Sequence, residues 1–201
     1  MVKKCAGARG RPRSFDEAEA LRGATKVFWA KGYDGATIDD LVARMGVRRP
    51  SLYAIFGDKA ALFKRCLEGY GSESAAFIAH VLDASPDVQG AIHAMIRLAV
   101  EGATGDKSTL GCLMVSVAPL VDDAGVREYL TQIADQTTRA IARRLEKGID
   151  DGDLPQDFPV EERARMVLDI CRALSVRARL GASREELLND ADNAAVLLLR
   201  A

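Results

Sequence analysis

The chain has 201 residues, 48% hydrophobic and 28% charged, with a formal net charge of −1. That balance excludes an intrinsically disordered chain, and no apolar run approaches the roughly 18 residues that a membrane span requires. The four cysteines, at 5, 66, 112 and 171, show no C-x-x-C pairing, so the expectation is reduced thiols in a cytoplasmic protein without a metal site. The start of the chain has lysines but no apolar stretch of the kind a secretory signal carries.

The small net charge hides an asymmetry. Residues 1–65 hold 14 Lys and Arg against 7 Asp and Glu, a balance of +7, and residues 66–201 hold 14 against 22, a balance of −8. A basic first third on an acidic remainder points to nucleic acid as a partner of the first third alone; a solvated basic face is the other reading of charge by itself.

In chain order, residues 1–13 form a basic arm with Lys3, Lys4, Arg9, Arg11 and Arg13, no acid, and several Gly and Pro breakers. Within it Arg9-Gly10-Arg11-Pro12-Arg13 resembles the AT-hook core, a flat strip suited to the narrow minor groove of A·T-rich DNA. Ser14-Phe15-Asp16-Glu17 has capping-box spacing and is expected to open the first helix, whose apolar stripe is Ala20, Ala24, Val27 and Phe28 and whose end is Gly32. Thr37-Ile38-Asp39-Asp40 repeats the capping pattern. Leu41, Val42 and Met45 then face inward, and Gly46-Val47 turns the chain into a short helix over residues 48–55. Pro50 belongs in its first turn, Leu52 and Phe56 bury one side, and Asp58 caps the next helix. Arg48 and Arg49 therefore stand at the exposed N-terminal end of that short helix. Two helices joined by a tight glycine turn and flanked by a basic arm form a helix-turn-helix pattern, whose second helix enters the major groove by its N-terminal residues. An arginine there suits the two acceptors of guanine or a phosphate oxygen, and the sequence leaves open which of the two arginines reads a base.

Residues 66–201 read as all helix. Helices are expected from residue 58 to about 82, from 88 to 102, from 110 to 117, from 124 to 149, from 159 to 180 and from 185 to 199, with Gly105, Pro119, the Asp150–Asp153 turn and Gly181 as punctuation. The small, apolar stretch over residues 110–116 is expected to line a cavity beneath the first domain, with Cys112 and Met114 in its wall and His93 nearby. Cys112 follows a glycine at an expected helix N-terminus, which permits either a reactive thiol or a buried inert one. The run Ala194-Ala195-Val196-Leu197-Leu198-Leu199 is too apolar for an exposed terminus and is to be buried either in its own subunit or against a second copy.

The pattern Phe28-x-x-x-Gly32-Tyr33-x-x-x-Thr37, then Ile38-x-x-Leu41-x-x-x-Met45-Gly46-Val47, then Ser51-Leu52-Tyr53-x-x-Phe56-x-x-Lys59-x-x-Leu62-Phe63 resembles the DNA-binding domain of the tetracycline-repressor-type (TetR) family over roughly residues 11–65. Two positions depart from the commonest version: Trp29 stands where a small residue is usual, and Arg49-Pro50 precede Ser51 where Lys-Gly or Lys-Ala is frequent. The resemblance implies an all-α protein with a basic arm (1–13), a three-helix helix-turn-helix head (14–65) and a helical ligand-binding and dimerising body (66–201). It implies a homodimer through the last two helices, a near-palindromic double-stranded DNA operator, and a small-molecule effector that releases it. Ser51 falls in the reading helix, and Thr37, Tyr53 and Lys59 are implied to hold the DNA backbone. For Tyr53 a core aromatic with a surface hydroxyl, and for Lys59 a solvated lysine, are the alternatives.

Neither a phosphate loop, a G-x-S-x-G elbow nor an H-E-x-x-H helix occurs, and two histidines leave little acid–base equipment. No catalytic residue and no cofactor is expected. The rival that remains is a DNA-binding protein without an effector. A solid body would favour it, and an apolar pocket of a few hundred cubic ångströms would favour a ligand sensor. If Arg9, Arg11 and Arg13 lie in the minor groove, deleting residues 1–13 lowers DNA affinity and flattens its salt dependence by a few charges' worth. An unchanged salt slope in a titration at several ionic strengths would make the arm an idle tail.

Overall fold

The computed structural model describes residues 16–200. The arm arginines Arg9, Arg11 and Arg13, and Ser14, lie outside the described residues. Within them the chain forms nine α-helices and no strand: α1 (Glu17–Gly35), α2 (Ile38–Met45), α3 (Arg49–Phe56), α4 (Lys59–Ala84), α5 (Val88–Thr104), α6 (Leu113–Ser116), α7 (Ala124–Asp150), α8 (Val160–Arg179) and α9 (Arg184–Leu198), with one 3-10 turn at Ala118–Leu120.

The head follows its local signals with one correction. Asp16, not Ser14, caps α1: it is extended, and its carboxylate accepts from the Glu19 N–H at 3.1 Å. A short acceptor two residues further on, with Glu17 and Glu19 in the first turn, serves the orphan amides and the dipole directly. Phe28 is fully buried, edge-on to Phe63 at 4.9 Å and stacked with Tyr33 at 6.1 Å. The Thr37 capping box forms as expected, Oγ1 accepting from Asp40 N–H at 3.1 Å and Asp40 accepting from Thr37 N–H at 3.1 Å. Gly46 sits at φ 68°, a left-handed bend that a side chain would strain, and it sets α3 against α2.

The head does not have its core to itself. Phe28, Leu41, Leu52, Phe56, Leu62 and Phe63 pack in one continuous cluster with Leu113, Val117, Ala118 and Val126 of the body. The cluster at the other end is built by α5, α7, α8 and α9 around Ile92, Ile96, Ile141, Leu145 and Leu187. Helix α4 belongs to both, placing Leu62, Phe63 and Leu67 in the first and Leu82 in the second. Its far end is held by a buried arginine: Arg144 of α7 donates from Nε to the Leu82 carbonyl at 3.1 Å and from Nη2 to the Ser85 carbonyl at 3.4 Å. These are carbonyls that a helix C-terminus leaves unsatisfied.

One body helix is shorter than its apolar run suggests. Instead of a helix over 110–117, α6 has four residues and begins after Cys112. Gly111, at φ 81°, reverses the chain, and its N–H returns to the Ala103 carbonyl at 2.9 Å, so residues 105–112 fold back along the end of α5 as a loop. Pro119 then sits in the 3-10 turn.

Candidate nucleic-acid interface and effector cavity

Helix α3 starts in a way that local rules disfavour. Its N-cap, Arg48, offers no side-chain hydrogen bond, there is no acid in its first turn, and Arg49 and Pro50 follow. Two cations at the positive end of a helix cost stability and favour an anionic partner. Leu52 and Phe56 are buried, whereas Arg48, Arg49, Ser51 and Tyr53 are exposed on the outer side. Tyr53, 49% exposed, lies one helical turn beyond Arg49, so the core-aromatic reading fails for its ring. Lys59, in the first turn of α4, reaches the Asp34 carbonyl at 3.5 Å and lies 4.7 Å from the Tyr33 ring centroid, which makes it a positioned lysine. Thr37 is exposed, but its hydroxyl also donates to Asp40 at 2.7 Å and is spent on the capping box. The Lys31 ammonium on the same carboxylate is the largest of the causes, ahead of the Thr37 hydroxyl and N–H, that hold Asp40 down to about 2. A residue that sequence reasoning passed over joins this face: Asp39 accepts from Arg49 Nε at 3.1 Å and Nη2 at 2.7 Å.

Beneath the head the body holds an open cavity of about 850 Å³. Its apolar wall includes Phe77, Met95, Met114, Ile133 and Leu168, and Cys112 lies in the same wall. Two of the expected residues, Cys112 and Met114, are therefore brought together there, while His93 is not. On α5 the cavity face carries Met95, Ala99 and Gly102. His93 and Arg97, one turn apart, share the face turned to α9, where Asp192 accepts from both at 2.8 Å. That pairing lowers the Asp192 pKa, with Arg97 the larger cause. Both faces of α5 are apolar enough that the sequence does not say which one the histidine follows. Burial pushes the Cys171 thiol in the cavity wall up to about 12 and holds it protonated. Charged groups come from Glu73 and Arg172, which sequence reasoning also passed over.

Head and cavity share a joint. The Leu110 carbonyl accepts from Trp29 Nε1 at 3.3 Å and from Arg179 Nη1 at 3.2 Å, and the same Arg179 nitrogen donates to the Trp29 carbonyl at 3.1 Å. Trp29 stands edge-on to Tyr70 at 5.1 Å, and the Tyr70 hydroxyl is 3.5 Å from Cys112 Sγ. Burial, with Cys112 beside it, raises the Tyr70 pKa. Tyr70, Gly111 and Cys112 all line the cavity. The only sequence signal for this joint is the unusual Trp29 itself.

Residues 20–66 match the family described as bacterial regulatory proteins, tetR family, and residues 89–191 match the tetracyclin repressor-like C-terminal domain. The chain is 31% identical to the HTH-type transcriptional repressor ComR of Escherichia coli K12, over 93% of this chain and 89% of that one. It is also 31% identical to the repressor BdcR of the same strain, over 93% and 91%. Among solved structures, a cysteine-substituted form of the TetR family transcriptional regulator CifR on 26-base-pair operator DNA superposes with a TM-score of 0.83 at 36% identity, covering 92% of this chain and 98% of that one. FadR of Bacillus subtilis, solved with stearoyl-CoA, shares the fold with a TM-score of 0.76 at 13% identity, over 92% and 98%.

The joint makes Gly111 sensitive. A Cβ there would meet Ser116 Oγ at 2.8 Å, the Ser175 carbonyl at 3.0 Å and Arg179 Cβ at 3.1 Å, on a backbone already at φ 81°. Gly111→Ala is expected to cost about 1–3 kcal/mol in denaturant titration. It should also red-shift the native-state emission of Trp29, the only tryptophan. Unchanged emission together with an unchanged midpoint would mean that the segment is not wedged against the head.

Proposed function

The chain belongs to the TetR family of transcriptional regulators, and on that premise we propose that it is a homodimeric repressor acting in the cytoplasm, released from a near-palindromic operator by an apolar small molecule. It acts by binding and not by catalysis. One observation carries the effector half of this reading over the rival without one: the body holds a cavity of about 850 Å³, within the size range of small-molecule sites.

In this reading α3 enters the major groove. Arg48 and Arg49 reach base edges or phosphates, Ser51 and Tyr53 flank them, and Lys59 takes a phosphate at the start of α4. Thr37 contacts the backbone only by giving up its hydroxyl bond to Asp40. The arm arginines Arg9, Arg11 and Arg13 follow the minor groove. Two copies join through α8 and α9, where Met166, Val176, Leu180, Val196 and Leu197 leave apolar side chains exposed. The two reading helices then sit one DNA turn apart, roughly 34–36 Å.

A ligand lodged against Met114, Cys112 and Tyr70 displaces α4 and the 110–112 segment together, and both hold the head. For a 100-fold loss of DNA affinity it need prefer the released state by only about 2.7 kcal/mol. Linkage requires operator DNA to weaken that ligand by the same factor. Selecting bound DNA from a random pool should return a two-half-site footprint. Leu197→Glu should yield monomers that lose it, and a footprint of one half-site with the native chain would sink the dimer. Met114→Trp, which narrows the cavity beside Cys112 and Tyr70, should keep operator affinity while weakening release by any molecule found in a screen. A releasing molecule that binds equally well with and without operator would refute the mechanism.

A further inference from the structure

We infer that Asp39 is a specificity-determining residue: it orients the Arg49 guanidinium so that one base pair, a guanine in the major groove, is read end-on. The inference rests on the reading of α3 as the DNA-reading helix. A guanidinium has two edges that can hold a pair of acceptors. Asp39 Oδ1 occupies the edge formed by Nε, at 3.1 Å, and Nη2, at 2.7 Å. The end-on edge, formed by Nη1 and the second hydrogen of Nη2, is left for the two acceptors that guanine presents, O6 and N7.

The pair is poorly explained as a device for stability. Its side chains are 56% and 75% exposed, a setting in which ion pairs contribute little. Its cation sits at the positive end of a helix with no acid in its first turn. The neighbouring carboxylate, Asp40, is already engaged by Thr37 and Lys31, whereas Asp39 is turned to the next helix and meets only Arg49 among the hydrogen bonds and ion pairs of the described residues. What the pair does achieve is to hold a long side chain in one direction before DNA arrives. A guanidinium oriented in advance loses less conformational freedom on forming two bonds to a base, and it is biased away from swinging to a phosphate. It also places a carboxylate near the DNA surface, an arrangement that weakens binding to every sequence alike and raises the contrast between right and wrong ones.

This gives a test in which affinity and specificity move in opposite directions. The native chain, Asp39→Asn and Arg49→Lys are titrated against the selected operator, each single-pair variant of it, and a scrambled duplex. With the native chain one G·C pair in each half-site is worth roughly 5- to 150-fold. Asp39→Asn should bind the scrambled duplex several-fold more tightly, with a steeper salt slope, while discrimination at that one pair falls to a few-fold and other positions keep theirs. Arg49→Lys should lose the same pair without tightening non-specific binding. Thermal unfolding of both variants should match the native chain. Asp39→Asn that discriminates fully at every pair overturns the assignment. So does uniform weakening on all sequences with a lower melting temperature, which would make the pair a structural tie. So does a lost pair that Arg49→Lys leaves intact, which would mean that Asp39 itself touches a cytosine. If the native chain enriches no sequence, the DNA-reading role fails with it.

Discussion

Everything in the architecture depends on the fact that the head cannot close its own core. Three helices bury Phe28, Leu41, Leu52 and Phe56, but the cluster is completed by Leu113, Val117, Ala118 and Val126 from the body. At its edge one carbonyl, that of Leu110, takes both the Trp29 indole and the Arg179 guanidinium. A head that borrowed nothing could tumble on its tether. This one is seated on the same loop that forms the cavity wall, so whatever moves the wall moves the seat. The contact between the two ends is direct at Trp29, which meets the Leu110 carbonyl and Tyr70 beside the cavity.

Legibility in the sequence followed the range of the interaction that fixes each feature. The reading head was plain, because Thr37, Gly46, Pro50 and Asp58 act on backbone within four residues of themselves. Period makes the inward residues legible too: Leu41 and Met45 of α2 and Leu52 and Phe56 of α3 are buried, and Val42 is partly buried against the same cluster. The start of α1 is ambiguous by two residues in the sequence, since Ser14 and Asp16 are both short acceptors ahead of an acidic turn, and Asp16 is the cap. Cys112 and Met114 were legible as cavity wall from the small, apolar run that carries them. The side of α5 that His93 takes is not legible locally, because the choice between the faces is made by Asp192, 99 residues away. The Trp29–Arg179 contact spans 150 residues and leaves no local trace except an unusually large residue where small ones are common.

Charge divides the molecule by task. On α3 two arginines crowd the end of a helix that would be steadier without them, a local rule broken where a partner is to be met. On the body, Arg177 bridges Asp190 and Glu186, and Arg97 and His93 share Asp192, so α8, α5 and α9 are laced to one another near the face assigned to dimerisation. Those cations are spent internally and add nothing to the field that DNA feels, consistent with a body whose net charge is negative.

The buried Arg144 at the far end of α4 turns that helix into a lever with a fixed fulcrum. It holds the carbonyls of Leu82 and Ser85, while the other end of the helix, 26 residues away, carries Lys59 and the head. At about 1.5 Å per residue the arm is roughly 39 Å long. On an arm of that length a tilt of about 4° at the pinned end would correspond to about 3 Å at the other, where Leu62, Phe63 and Leu67 are packed against the body. In the proposed dimer the two arms would turn about separate fulcrums, so diverging displacements would add and a small change beside the cavity would become one that a rigid double helix cannot follow.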